Sequence, residues 1–447
     1  VTARLKAFLQ HPVRLIPIGF IAAIFAGAGL LMLPVSQAEP GNTRFVDAVF
    51  TSASAIAVTG LITVDTPVHW SPFGQAVILV CIQVGGLGIM TSGVLLGLLV
   101  SRKLGLRTRL MARAEHSSAL NLGDVRAVIV RTMVFTMVVE IVVAVLLAIR
   151  FAANGHGAYS LWLGVFHSVS AFNNAGFALF SDSIMSYATD PGISLPICVG
   201  AILGGLGMPI VFELTRRGWG RRKWSVHTKM TLTGSAILLF GGTAAFLFFE
   251  WSNPATFGQW AWHDRFLPAF FQSAVARTSG FNSINIGALT EDSLFATIVL
   301  MFIGGGSAST AGGIKVTTFF VLLWVIWAEV RGEPDVNAFR HRINHAVVRE
   351  ALSVALVYVA CNVLVVFLLQ RFEPGTDLMP LMFEAASALA TVGQSTGITF
   401  DLTDPSKWLL TAAMYTGRIG PVLFAASLAL RTRRRLYRYP EGRPLVG

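Results

Sequence analysis

Apolar residues along this chain fall into long blocks separated by short polar turns, not into the alternation of a half-buried strand. Blocks long enough to cross a bilayer core, about 20 residues, lie near 15 to 35, 72 to 100, 127 to 150, 192 to 214, 230 to 250, 292 to 328, 350 to 370 and 406 to 430. Shorter apolar blocks at 44 to 60, 160 to 176, 263 to 280 and 377 to 393 lie between the members of successive pairs. Too short to span and each ending in glycine, they suit re-entrant helices that dip into the membrane and return. The pattern predicts an all-α membrane protein: span, half-helix, span, written four times, with eight transmembrane helices and four re-entrant ones.

The short blocks end in SAIAVTG, SAFNNAG, SAVARTSG and SALATVG. Their terminal glycines, Gly60, Gly176, Gly280 and Gly393, are spaced by 116, 104 and 113 residues, which marks one module in four copies. A second glycine cluster follows each at Gly85, Gly204, Gly304 and Gly417, 25, 28, 24 and 24 residues on. This period divides the chain into 1–110, 111–222, 223–340 and 341–447.

Composition agrees with the bilayer as solvent: of 447 residues 54% are hydrophobic and 13% charged, and the mean hydropathy is +0.66. A soluble domain carries about 25% charged residues. Cys81, Cys198 and Cys361 are far apart in apolar blocks, so neither a disulfide framework nor a Cys-rich zinc site is available. The net charge of +11 sits in short clusters beside apolar segments, which argues for topology and against nucleic acid as a partner. Most of the 34 Lys and Arg residues occupy the N-terminal tail (Arg4, Lys6, Arg14), the inter-module loops and the tail after Arg431. Both termini are therefore expected to be cytoplasmic in a multi-pass inner (plasma) membrane protein. Acidic residues such as Asp65, Asp182, Asp190, Glu291 and Asp404 flank the half-helices, an acidic vestibule that favours cations. The basic stretch Arg216 to Lys229 can dock a partner or touch anionic membrane lipid.

A half-helix that stops in mid-membrane leaves unsatisfied carbonyls and partial negative charge at its end. Four such ends converging make a cation site. The non-helical residues that follow are tolerated only where they are buried in protein or line a path for water, and carbonyls held there can replace an ion's hydration shell. The segments so placed are Val58-Thr59-Gly60, Asn174-Ala175-Gly176, Thr278-Ser279-Gly280 and Thr391-Val392-Gly393. Motifs for hydrolases, metalloproteases and nucleotide binding are absent from the sequence, so an enzyme is not expected.

With these four segments the chain resembles the superfamily of K+ transporters built from potassium-channel modules, which comprises the bacterial Trk and Ktr membrane subunits and the plant HKT proteins. Almost the whole chain is covered. Starting directly at its first span and having eight long spans, it is most similar to the Ktr membrane subunits. The resemblance implies four tandem M1-pore helix-M2 repeats in pseudo-fourfold arrangement around a central pore, with the four segments as single-glycine half-filters for K+. Gly60 favours K+, because the sodium-selective plant branch has serine there. Below the filter, Gly304, Gly305, Gly306, Ser307, Ala308, Ser309, Thr310, Ala311, Gly312 and Gly313, followed by Ile314 and Lys315, cannot continue a stable helix through the bilayer. They resemble the family's intramembrane gating loop, and Arg418 matches its arginine barrier. Structural alternatives are an ion pair or a carbonyl-satisfied packing role for Arg418, and snorkelling or carboxylate pairing for Lys315. The resemblance further implies a homodimer on a cytoplasmic ring of KtrA-like nucleotide-binding subunits, K+ as the transported ion with Na+ as activator, and no covalent cofactor. A secondary active transporter is the alternative, but its repeats would be inverted and these are parallel. Among other intramembrane polar residues, Arg277 and Glu384 suggest a salt bridge supporting the filter. Glu140 suggests a carboxylate satisfied by local hydrogen bonds, Asn173 and Asn174 suggest braces for the backbone, and His167 suggests a structural residue.

Overall fold

The computed structural model describes residues 12–103, 125–217 and 224–429. The basic tails and the basic parts of the loops at 104–124 and 218–223 fall outside them, and with them the expected boundaries at 110/111 and 222/223. The helices follow in the expected order. First come α1 (Pro12–Leu31), the short α2 (Phe45–Ile56) and α3 (Pro72–Lys103), then α4 (Val125–Ala153), the short α5 (Ser160–Asn173) and the pair α6 (Pro191–Leu206) and α7 (Met208–Arg217). Next are α8 (Val226–Glu250), the short α9 (Phe266–Ala276) and the pair α10 (Glu291–Phe302) and α11 (Val316–Val330). Last are α12 (His345–Phe372), the short α13 (Leu378–Ala390) and α14 (Asp404–Ala429). Between α11 and α12 a small antiparallel hairpin pairs β1 (Asn337–Ala338) with β2 (His341–Arg342).

Eight long spans, one of them broken at the Gly304 to Gly313 run, are expected from the sequence, and the helices differ from that for identifiable reasons. Parts of α3 and α4, and all of α8 and α12, are long and apolar enough to cross a membrane. The α6 and α7 helices form one span bent by 94° at Gly207, whose φ of +93° ends the first piece. The α10 and α11 helices are separated by the Gly304 to Gly313 run, as expected. Helix α14 carries Lys407 and Arg418 among threonines and glycines.

Local caps tie each long-helix pair together on the side where the half-helices enter. The end of α12 meets the start of α14 through Glu373, which accepts from the Thr403 amide at 2.8 Å and hydroxyl at 2.7 Å. Burial opposes the charge on Glu373, yet hydrogen bonds from Ser406 and Thr403 outweigh it and hold the carboxyl below its usual range. Glu250 at the end of α8 takes the Thr290 amide and hydroxyl at 2.9 and 2.8 Å in the same way, and Thr290 in turn caps α10. Arg150 on α4 bonds Asp190, the cap of α6, at 2.9 Å. The Ser71 hydroxyl before α3 reaches the Val35 carbonyl after α1. In two of the four junctions, at Glu373 and Glu250, the preceding long helix thus satisfies an orphan amide at the next helix start.

Each half-helix packs on its own leading long helix, and each trailing long helix packs on the half-helix of the next unit. The α3 helix meets α5, α6 meets α9, α10 meets α13, and α14 returns to α2, so the contacts close. Two of these junctions are built from equivalent positions. The third residue of α5, Trp162, donates to Gln75, the fourth of α3, at 3.0 Å. The third residue of α2, Asp47, pairs with Lys407, the fourth of α14, at 3.0 Å, with both side chains under 10% exposed. An outer pair of Arg44 with Asp404 reinforces the closing junction. Buried apolar residues from α1 to α6, together with parts of α9 and α14, form the largest core cluster, and α8 to α13 supply a second.

Candidate functional site

The four half-helices stop at Ile56, Asn173, Ala276 and Ala390, and the glycines that follow come together. A methyl group placed on Gly60 would lie 3.2 Å from Gly176 Cα, and one on Gly176 would lie 2.7 Å from Gly280 Cα. On Gly280 it would lie 3.3 Å from Gly393 Cα, and on Gly393 2.8 Å from Gly60 Cα. The sequence of approaches closes on itself. At each step the glycine faces the carbonyl of a residue that precedes a neighbouring glycine: Gly60 faces Ala175, Gly176 faces Ser279, Gly280 faces Val392 and Gly393 faces Thr59. All four glycines have left-handed φ, from +72° to +99°, a conformation a side chain would strain.

The turn into this ring has a common construction in three units. Val58, Asn174 and Thr391 adopt φ of +55°, +59° and +50°. The next amide reaches back five residues: Thr59 to the Ser54 carbonyl at 2.7 Å, Ala175 to Ser170 at 2.7 Å, Val392 to Ser387 at 2.9 Å. This is the helix-ending motif that normally calls for glycine or asparagine at the left-handed position. Asn174 fits it, whereas the β-branched Val58 and Thr391 are strained there. The recurring serine of the Ser-Ala pair gains a reason: Ser54 and Ser387 hydroxyls each accept the ring glycine amide at 3.0 Å, and Ser170 bonds the Phe177 carbonyl at 2.8 Å.

The third unit departs from the Ser-Ala register read from the sequence. Six residues before Gly280 stands Ala274, and the Ser273 hydroxyl points away to the Leu239 carbonyl at 2.7 Å. Ser273 is equivalent instead to Ser52 and Ser168, which bond carbonyls of α1 and α4 at 2.7 and 2.6 Å. The third turn is one residue shorter, has no left-handed residue before its glycine, and ends with Ser279 bonded to Val275 at 2.8 Å.

The second glycine cluster lets the trailing helix touch the half-helix end. No side chain fits on Gly85 against the Ile56 carbonyl, on Gly204 against Phe172, or on Gly417 against Leu389. At Gly304 the helix has already opened into a loop, and its glycines serve another purpose. The base of that loop is closed by Gly304 to Ile314 at 2.9 Å and Val316 to Gly305 at 3.0 Å. Its body lies against all three other units. Gly306 and Thr310 amides bond the Gly205 and Gly204 carbonyls at 2.8 and 3.2 Å, and the Met208 amide bonds Ala308 at 3.3 Å. Ala308 approaches Gly93 of α3, and Gly312 leaves no room for a methyl beside Ala390 and Thr391. The 94° bend at Gly207, which the GGLG run concealed among packing glycines, makes space for Ser307 and Ala308. The Ser309 hydroxyl bonds Gly306 within the loop at 2.7 Å, and the loop leaves at Gly313, where φ is +62°.

Loop and ring are coupled through Asn174. Its amide donates to the Thr310 hydroxyl at 2.7 Å, and its oxygen accepts from Thr278 at 3.3 Å. On the far side of the loop Arg418, 3% exposed, donates to the Thr310 carbonyl, while its Nε and second terminal nitrogen have no partner among the described residues. Lys315 donates to the Ala311 carbonyl at 2.6 Å. Among the described residues no carboxylate pairs with either cation, so the ion-pair alternatives for both are overturned, whereas the Thr310 carbonyl contact of Arg418 is the one its packing alternative anticipated. Two basic side chains therefore face the loop with backbone carbonyls as their partners.

The expected Arg277–Glu384 bridge is also absent. Arg277 donates to the Ser235 carbonyl at 3.0 Å, because its shortened turn points it toward α8. Glu384, fully buried, accepts from the Ser395 hydroxyl at 2.5 Å, the Thr396 amide at 3.1 Å and the Thr399 hydroxyl at 2.8 Å, and so holds the segment after Gly393. His167 does the same after Gly176, accepting the Leu179 amide at 3.3 Å. This brace was missed in the sequence; its signal is a polar residue nine positions before the glycine. Glu384→Ala removes the acceptor of the Thr396 amide and leaves the Ser395 and Thr399 hydroxyls only each other, and the expected cost is about 1–3 kcal/mol for each group that water does not reach. Thermal melts of the purified chain measure it, and a melt unchanged from native would refute the brace. Glu140 accepts from Gln83 at 3.2 Å and from Asn173 at 3.0 Å, the local satisfaction anticipated for it.

On the side of the ring away from the loop, a cavity of about 170 Å³ is lined by all four ring glycines, with Asp65 and Asp182 in its wall. The ring thus has a cavity with acidic residues in its wall on one side and the glycine loop with Lys315 and Arg418 on the other.

The profile of the TrkH family, described as cation transport protein, matches residues 19–431. The chain is 39% identical to the Ktr system potassium uptake protein B of Bacillus subtilis (strain 168), over 98% of this chain and 97% of that protein. It is 38% identical to the protein of the same description from Vibrio alginolyticus, over 97% and 94%, and 35% identical to the potassium/sodium uptake protein NtpJ of Enterococcus hirae, over 98% and 97%. The crystal structure of the potassium transporter TrkH from Vibrio parahaemolyticus superposes with a TM-score of 0.69 over 93% of this chain and 85% of that one. At 18% identity that likeness is one of fold.

Proposed function

Since the chain belongs to the TrkH family of cation transport proteins, we propose that it is the pore-forming membrane subunit of a K+ uptake system. Its relatives are cation transport proteins, and it is a transporter, not an enzyme. The observation that carries the proposal is the closed sequence of glycine approaches, 60 to 176 to 280 to 393 to 60. In this reading the four units form one pseudo-fourfold pore. K+ enters from the acidic side and sheds water for the carbonyls of Val58 to Gly60, Asn174 to Gly176, Thr278 to Gly280 and Thr391 to Gly393. The Gly304 to Gly313 loop closes the path below, and Lys315 with Arg418 repels cations there.

The four units are bounded as 1–110, 111–222, 223–340 and 341–447, with both termini in the cytoplasm of a plasma-membrane protein. Relatives named as proteins of a Ktr system support a partner subunit for this chain, and one relative is named for uptake of both potassium and sodium. In this reading the partner is a cytoplasmic nucleotide-binding ring that carries a homodimer of the chain, and Na+ acts as activator. Opening requires the loop to give up its bonds to Gly204, Gly205 and Arg418, a rearrangement that a ring pulling on cytoplasmic segments can drive.

Tracer Rb+ uptake into proteoliposomes holding the chain and its nucleotide-binding partner, with Na+ as competitor, tests the proposal. The native chain should favour K+ and Rb+, and Gly60→Ser should cut Rb+ flux and its preference over Na+ by about tenfold or more, because a serine there meets the Ala175 carbonyl. Transport indifferent to Gly60 would refute a carbonyl filter.

A further inference from the structure

The hairpin between α11 and α12 is built against the preference of its turn. Its two loop residues, Phe339 and Arg340, have φ of +50° and +66°, the pattern of a two-residue turn that favours Asn-Gly. Phe339 is held in place by Trp324, with ring centroids 5.5 Å apart, and packs on the α8, α11 and α12 cluster. Nothing in the packing accounts for Arg340, which is exposed and, among the described residues, has no carboxylate partner. Its neighbour Arg342 is neutralised by Asp335 at 2.9 Å. Strain that persists at an exposed cation points to a task for the cation.

Arg340 overlooks a cavity of about 910 Å³ between the hairpin and the start of α8. Lys229, likewise without a carboxylate partner among the described residues, lines it together with His341. The opposite wall is apolar: Leu232, Ala236 and Ile237. That wall does not end at the cavity. Ile237 is 55% exposed, and the exposed face runs along α8 through Phe240 at 66% to Phe248 at 81%, a stripe at helical spacing suited to acyl chains. Trp324 and Trp327, with Arg331 stacked 4.5 Å over Trp327, mark this end as the membrane interface.

We propose that this cavity is a binding site for an anionic phospholipid. The phosphate sits between Lys229 and Arg340, and one acyl chain follows Leu232, Ile237 and Phe240 along α8. A free phosphate would use the cations but leave the stripe uncovered, and a zwitterionic lipid would use the stripe but carry its own cation to the two side chains. Only an anionic lipid matches both halves. The site joins α8 to the hairpin that leads into α12, so an occupied site ties the third unit to the fourth at the end opposite the acidic cavity. This assignment goes beyond the proposed K+ path and stands independently of it.

Native mass spectrometry of the full chain in detergent, titrated with phosphatidylglycerol or phosphatidylcholine, tests it. Phosphatidylglycerol should bind more tightly, and the Lys229→Gln, Arg340→Gly pair should weaken it about 30-fold, the worth of two interfacial cations, while leaving phosphatidylcholine unchanged. Arg340→Gly gives the turn a residue suited to its backbone, so its lipid-free melting temperature should hold or rise, which separates lost binding from lost folding. Equal affinity for the two lipids, or phosphatidylglycerol binding indifferent to both substitutions, would overturn the proposal. Displacement of the lipid by millimolar glycerol phosphate would overturn it in favour of a free-phosphate site.

Discussion

Gly393→Ala should abolish selective Rb+ uptake while Gly397→Ala leaves most of it intact. The two glycines share the same difficulty of backbone, with φ of +96° and +102°, and each substitution carries strain of about 1–3 kcal/mol. They differ in what the new methyl meets. Beside Gly397 there is open space, whereas on Gly393 it would strike the Thr59 carbonyl and lie 2.8 Å from Gly60 Cα. Backbone atoms cannot give way as a side chain tip can, so the ring must open. Carbonyls that replace a hydration shell do so only at fixed distances, and a drop in Rb+ flux of at least about tenfold is expected at equal membrane expression. Comparable losses in both variants would mean that strain alone, not crowding of a ring, governs transport.

The opposite change is expected on the closed side. Arg418→Ala should raise K+ and Rb+ flux by about tenfold or more, and Arg418→Lys should not. At an effective dielectric near 20, a unit charge some 5–10 Å from a passing cation raises its energy by about 2–3 kcal/mol. Among the described residues no carboxylate offsets that charge: Arg418 is partnered by the Thr310 carbonyl, and Lys315 is a second basic group beside the loop. Alanine removes both the charge and the bond that holds the loop, while lysine restores the charge. Flux into proteoliposomes without the regulatory partner reads the difference. Unchanged flux in the alanine variant would mean that the loop closes the path unaided and that Arg418 is a packing residue.

Much of this architecture is legible in the sequence because the membrane restricts the choices. An apolar block under 20 residues ending in glycine has few uses in a bilayer, and both glycine registers reappear as close approaches, one at the ring and one where α3, α6 and α14 meet half-helix ends. The Gly304 to Gly313 loop is legible for the same reason, as no helix can run through it. What escaped the sequence depends on direction in space. The bend at Gly207 looks like the packing glycines around it until the loop that fills it is seen. One residue missing from the third turn shifts the Ser-Ala pair and redirects Arg277 to Ser235, so a bridge inferred from two buried opposite charges does not form. The hairpin at Phe339 and Arg340 has no turn signal because its residues oppose the turn they make.

The account stands or falls on where the ion sits. Anomalous diffraction from crystals of the chain grown in Rb+ measures this directly. It should place Rb+ on the axis among Gly60, Gly176, Gly280 and Gly393, with the carbonyls of Thr59, Ala175, Ser279 and Val392 among its ligands and no side-chain carboxylate. Rb+ bound only to acidic side chains such as Asp65 and Asp182, with the ring empty, would contradict it.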